Sequence, residues 1–420
     1  MHTPKALLVP VPALALSLSL VACSAATPGG SPPESATPPS VTPTGDGHGA
    51  IAGAAEVPEP QLHLLTLDPE GSVDMLDLAD GTLAHLTEVA GVSSIATDGR
   101  YVFTSSATTG SVTVIDSGVW TWDHEDHFHY YRGEPKVVGT VEGEGEAVVT
   151  PGASATGIFF PRTGKVTVLD HDTLATGELG ATTVPAVEAH AGMAVPLSRS
   201  VLVTQAAAGG TAGSVQPRDA GGESVAGATA PCAGAQGTIT TSVGVVIGCD
   251  DGALLATADG DDVAFERIPY PAGVDAPRAT EFRAREGRPT VAAVAGDQGA
   301  WLLDTRERSW RFIATDVPLL RVAAVDDREG HVVALGLDGR VRVLSAETGG
   351  TLATTEPLLP ETLADPALLQ GVELIADQQR AYLNAPAERR LHEIDFADGA
   401  RLARSFDTAT VPALLAETGR

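Results

Sequence analysis

Lysine is almost missing from this 420-residue chain: Lys5, Lys136 and Lys165 stand against 54 aspartates and glutamates. Arginine supplies the rest of the 26 basic residues, and the formal net charge is −28. Such a surface is repelled by phosphate backbones and anionic headgroups, which excludes a nucleic-acid reader and a protein held on lipid by charge. Aromatic residues are few, at 4 %, and charged residues reach only 19 %. Hydrophobic residues make up 43 %, which excludes a disordered chain and provides for a substantial core. Helical periodicity is nearly absent, the exception being residues 361–369. No glycine-rich phosphate loop opens a helix, and no histidine pair has the i, i+4 spacing of a zincin. There is also no Ser-His-Asp or Cys-His grouping for nucleophilic catalysis. Cysteine is limited to Cys23, Cys232 and Cys249, an odd number that needs an account.

The first of the three belongs to an address. Residues 6–20 form an uncharged apolar run, too short and wrongly flanked for a membrane span. The run ends in Leu20-Val21-Ala22-Cys23, which resembles the lipobox of bacterial lipoproteins. The resemblance implies a leader at 1–22 and acylation of Cys23 as the first mature residue. Residues 24–60 are rich in Pro, Thr, Ser, Gly and Ala and read as a flexible tether. The folded part, 61–420, is thus expected outside the cytoplasm, lipid-anchored to the cell membrane. In that compartment the remaining pair, Cys232 and Cys249, should be a disulfide, stabilising by about 3 kcal/mol in the chain-entropy model.

From residue 61 a hairpin signature recurs: an apolar strand, a turn with Gly or Asp, and a second apolar strand often ending in Asp. Eight examples can be laid out: 62–67 with 72–78, 101–106 with 111–116, 157–160 with 165–170, a degenerate 200–205 with 213–217, 244–249 with 252–257, 290–295 with 300–304, 331–335 with 340–344, and 380–383 with 390–395. A period near 40–55 residues with about four short strands per unit is that of a propeller blade. The expected fold is therefore an all-β, eight-bladed β-propeller, or a seven-bladed one if the weak fourth unit is not a blade. Most hairpins follow another apolar strand, but the first does not. The C-terminal segment 411–420 has the look of the missing strand and is expected to close the ring, removing exposed sheet edges.

A propeller is a scaffold, so function has to come from a site. Three of the eleven histidines lie within six positions, at His124, His127 and His129, on the long connection between the third and fourth strands of the second blade. Trp120, Trp122, Phe128, Tyr130 and Tyr131 gather in the same stretch with Asp123, Glu125 and Asp126. Imidazole nitrogens bind Zn²⁺ at ~2.0–2.1 Å, and carboxylates add oxygen ligands or orient the rings. His127 and His129, two apart, face one side of an extended strand; His124 joins them only through a turn at Glu125-Asp126. Asp170 and His171 occupy the same junction in the third blade and are further candidate ligands. His190, beginning an innermost strand, is either a ligand or a hydrogen-bonded channel residue.

At these residues the chain resembles the AztD-type zinc metallochaperones, propeller proteins of zinc ABC importers. The resemblance runs through Gly47-His48-Gly49, Val114-Ile115-Asp116-Ser117-Gly118, His127-Phe128-His129-Tyr130-Tyr131-Arg132, His190-Ala191-Gly192, the two cysteine turns, and Glu417-Thr418-Gly419-Arg420. It departs in keeping only His48 of a histidine-rich N-terminal stretch, and in having Gln236-Gly237 where members tend to have His-Gly. The resemblance implies binding of Zn²⁺ outside the cytoplasm and hand-over to the importer's solute-binding protein; a monomer without catalytic activity is expected. Ligand type alone does not separate Zn²⁺ from Cu²⁺ or Ni²⁺. Two rival classes are a tethered interaction scaffold and a propeller enzyme of the lactonase-like kind, the latter expecting its acids or metal ligands on the central channel.

Overall fold

The computed structural model describes residues 49–124, 127–219, 221–225 and 228–420; the leader, Cys23 and His48 lie outside the described residues. Within them the chain is almost entirely antiparallel sheet. A short strand β1 (Ala55–Val57) comes first. Strands β2 (His63–Leu67), β3 (Ser72–Asp77) and β4 (Leu83–Glu88) then form a meander whose inner neighbour is Leu414–Thr418. The register runs from His63 opposite Thr418 to Leu67 opposite Leu414, so the C-terminal strand closes the ring as the sequence indicates.

The second sheet is β5 (Ser94–Thr97), β6 (Tyr101–Ser106), β7 (Ser111–Asp116) and β10 (Lys136–Glu142). Between β7 and β10 the chain leaves the sheet as a separate hairpin, β8 (Val119–His124) and β9 (His127–Arg132). The third sheet is β11 (Val148–Pro151), β12 (Ala155–Phe160), β13 (Lys165–Asp170) and β14 (Ala181–Val184), with a one-turn helix α1 (His171–Ala175) after β13. Four-stranded meanders follow at 194–231, 238–269, 319–354 and 374–407, and one three-stranded sheet at 290–314. In that sheet the place of an inner strand is held only by an isolated bridge between Arg283 and Ala292. The helical stretch near 361–369 is present as a 3₁₀ turn, Thr362–Ala364, and a short helix, Pro366–Leu369. This is a β-propeller.

The core sits between neighbouring sheets, which explains the continuous apolar runs: strands buried on both faces cannot alternate. Tyr101, Phe103, Val112 and Val114 pack against Ile158, Phe160 and Leu169 of the next sheet. Leu64, Leu76 and Leu415 pack against Tyr382 and Leu391, sealing the last sheet to the first. Cys232 and Cys249 form the expected disulfide, with Cα atoms 5.1 Å apart, between the end of one sheet and the second strand of the next. Among the described residues no helix is long and apolar enough to cross a membrane.

Candidate metal centre

The hairpin β8–β9 carries the histidines, and its base is bolted down on three sides. At its root, Gly118 takes φ +77°, and a Cβ there would lie 2.5 Å from the Gly133 carbonyl oxygen, so only glycine lets the two strands meet. Arg100 spans the base: it binds Asp116 through Nε and Nη2 at 3.1 and 2.7 Å and lies 4.0 Å over the Trp120 ring. Arg132 Nη1 donates to Asp77 Oδ2 of the first sheet at 3.1 Å. The chain end is sewn in as well, since Thr121 donates through N to the Arg420 carbonyl and through Oγ1 to the Gly419 carbonyl.

The register sets who faces whom. Trp120 lies opposite Tyr131, Trp122 opposite His129, and His124 opposite His127. The turn expected at Glu125-Asp126 lies outside the described residues, and the register alone sets position 124 opposite 127. Along one face of β9, His127 and His129 meet with ring centroids 4.7 Å apart, and His129 stacks towards Tyr131 at 6.4 Å. Tyr131 in turn stacks on Trp120 at 5.1 Å. Burial, helped by the nearby Glu56 charge, pushes the Tyr131 hydroxyl up from its ordinary pKa.

The N-terminal segment completes the site, although the sequence gives it only the role of a tether. Strand β1 pairs with β9, Ala55 opposite Arg132 and Val57 opposite Tyr130, so it covers an edge that the projecting hairpin would otherwise expose. This pairing brings Glu56 to His129: Glu56 Oε1 lies 2.7 Å from His129 Nδ1. An ionised carboxylate only accepts, so Nδ1 donates and Nε2 carries the lone pair that a metal needs. Upstream, Gly49 accepts from Trp120 Nε1 at 3.1 Å, and a Cβ on it would fall 2.6 Å from the Trp122 ring. The segment is thus threaded against the aromatic side of the hairpin.

The other candidate ligands are held elsewhere. Asp170 caps α1, its Oδ1 accepting from Thr173 N and Oγ1 at 2.8 Å each. His171 Nε2 lies 2.9 Å from Thr156 Oγ1 and 3.3 Å from Asp98 Oδ2, on the wall of a channel cavity of about 630 Å³. Burial raises the Asp98 carboxyl pKa against the opposing pull of His171 and Arg100. His190 is buried, with Nδ1 2.7 Å from the Glu188 carbonyl and Nε2 2.8 Å from Thr204 Oγ1. Each of the three is thus engaged by neighbours of its own: Asp170 by Thr173, His171 by Thr156 and Asp98, and His190 by Glu188 and Thr204. What the hairpin brings together is His127, His129 and Glu56, with His124 in register. Glu56 lies 73 positions from His129, and no local pattern points to it.

With that geometry in place, comparison with solved structures gives the architecture a second footing. AztD from Citrobacter koseri matches with a TM-score of 0.74 at 18 % identity, covering 86 % of this chain and 98 % of that one. The apo form of the same protein matches at 0.76. The shared property is the propeller fold. The dihydro-heme d1 dehydrogenase NirN, in complex with DHE, matches at 0.57 with 15 % identity, covering 88 % of this chain and 81 % of that one. No family model matches the chain.

Proposed function

We propose that this chain is an extracytoplasmic zinc carrier that binds Zn²⁺ on the β8–β9 hairpin and delivers it to the solute-binding protein of a zinc ABC importer. The observation that carries the reading is the pairing of His127 and His129 on one strand face with Glu56 fixing the His129 ring. Imidazole donors with an orienting carboxylate suit Zn²⁺, and His124, opposite His127, is the third donor. The disulfide fits a location outside the cytoplasm, where Cys23 would anchor the chain. Likeness to AztD in fold, with the histidine motif at 127–132, supports delivery as the purpose of binding.

The arrangement fits hand-over better than permanent storage. The ligands stand on a projecting hairpin, His127 is exposed, and one carboxylate arrives on a three-residue strand. A partner that offers its own imidazoles and carboxylates can replace these donors one at a time, so the ion passes without being released as a free cation. The surplus of acidic residues raises the local concentration of cations at the surface. The test is transfer: zinc-loaded protein is mixed with the metal-free solute-binding protein in the presence of a chelator that captures free Zn²⁺. Zinc reaching the solute-binding protein ahead of the chelator supports delivery, and partition set by the chelator alone overturns it.

A further inference from the structure

The seventh sheet carries a second group of potential ligands on the turn between Leu319–Ala324 and His331–Gly336. We propose that Asp327, Glu329 and His331 form a second divalent-cation site, suited to Zn²⁺ and separate from the hairpin. One ligand atom from each, two carboxylate oxygens and an imidazole nitrogen, lies within 4.8 Å of the others. Tetrahedral zinc bonds of ~2.0–2.2 Å put neighbouring donors roughly 3.4 Å apart, so side-chain rotations that move the donors by about an ångström enclose an ion.

Two of the three donors are already placed. Asp327 Oδ1 accepts from His331 N at 2.9 Å, and Oδ2 lies 2.5 Å from His331 Nδ1. The turn is pinned by Gly330 N donating to the Asp327 carbonyl at 3.2 Å, and the His331 ring packs 5.6 Å from the Phe396 ring. The third donor is free to swing: Glu329 is exposed and has no hydrogen bond or ion pair among the described residues. Charges of both signs surround the group. The adjacent Asp326 binds Arg306 Nη2 at 3.2 Å, Arg288 Nε at 3.4 Å and Thr290 Oγ1 at 2.8 Å, so Arg306 and Arg288 are engaged by that acid, while the Arg285 charge acts on both Asp326 and Asp327. Arg328, on the intervening position, is exposed and makes no ion pair among the described residues.

A bound cation would replace the proton shared by Nδ1 and Asp327, which passes to solvent, and water would fill the remaining positions. Two oxygens and one nitrogen make a weaker set than several imidazoles, so the site exchanges its metal readily. The turn joins the first and second strands of its sheet, at the same sheet end as the Asp98 turn from which the histidine hairpin also departs. Both sites therefore open on one face.

The inference does not depend on the hairpin reading, and calorimetric zinc titration of the full chain separates the two. His127→Ala plus His129→Ala should leave one zinc-binding step. Adding Asp327→Asn and Glu329→Gln should abolish that step. Glu329→Gln alone, at an exposed turn position where folding is not at risk, should weaken the step about tenfold or more, as loss of a group supporting a metal does. Absence of any zinc step in the hairpin variant, or a step unaltered by Glu329→Gln, overturns the second site. A parent whose only zinc step is the one that Glu329→Gln weakens leaves this inference standing and removes the hairpin reading.

Discussion

Replacing Glu56 with glutamine isolates the contribution of the N-terminal strand to the metal centre. Glutamine keeps the length of the side chain and can still pair with His129 Nδ1, so the change removes charge and leaves shape. Loss of a carboxylate that orients a ligating histidine typically costs about 10- to 100-fold in metal affinity. The Glu56 side chain is 58 % exposed, and its field is screened by water, which places the effect at the lower end. The expected loss is about tenfold, or ~1.4 kcal/mol. Competition against a chromogenic zinc chelator measures it directly. Glu59→Gln, three residues on and outside β1, is the control and should bind like the parent. An unchanged affinity for Glu56→Gln would refute the argument that β1 tunes the centre. A loss as deep as that of the double histidine variant would refute it differently, by making Glu56 a principal ligand.

Two further outcomes follow from groups away from the hairpin. Replacing Cys232 and Cys249 with serine should lower unfolding stability by about 3 kcal/mol in denaturant titration, because a bridge spanning 17 positions no longer restricts the unfolded chain; equal midpoints for the parent and the double variant would contradict this. Glu417 is completely buried, and burial raises its pKa from 4.5 to about 7 against the opposing pull of Arg420. The neutral form is favoured in the fold, so its contribution is full below pH 4.5 and declines as the pH rises from there to 7. The loss over that window is on the order of 3 kcal/mol, and Glu417→Gln should flatten it; a variant that keeps the same pH dependence would show that another group carries it.

The features legible in the sequence are those set by short-range pattern. Strand pairs such as β6–β7 are consecutive, carry near-continuous apolar runs and turn at glycines such as Gly110, so the meander can be written down from residue order. Closure by Leu414–Thr418 is legible for a different reason: the first meander lacks an inner strand and the chain end has a spare one. The histidine motif marks its own position, but the form of the connection depends on pairing. Residues 119–132 are a hairpin whose register, not strand parity, sets His124 opposite His127. Glu56 is beyond any local reading, because a Pro- and Gly-rich stretch gives no strand signal until the edge of β9 offers it partners. His171 finds Asp98 by the packing of adjacent sheets, and this too leaves no mark in the spacing. The three-stranded sheet at 290–314 shows the same limit, since the residues before it keep only isolated bridges, Arg283 to Ala292 of that sheet and Ala284 and Gly287 to Ala324 and Thr241.

The central claim is that the hairpin histidines hold zinc, and the measurement closest to it is a zinc titration of the purified parent beside His127→Ala plus His129→Ala. The parent should show its tightest binding step at the hairpin, and the double variant should lose that step while its metal-free thermal melt stays the same. A double variant that retains the tightest step with undiminished affinity would contradict the account.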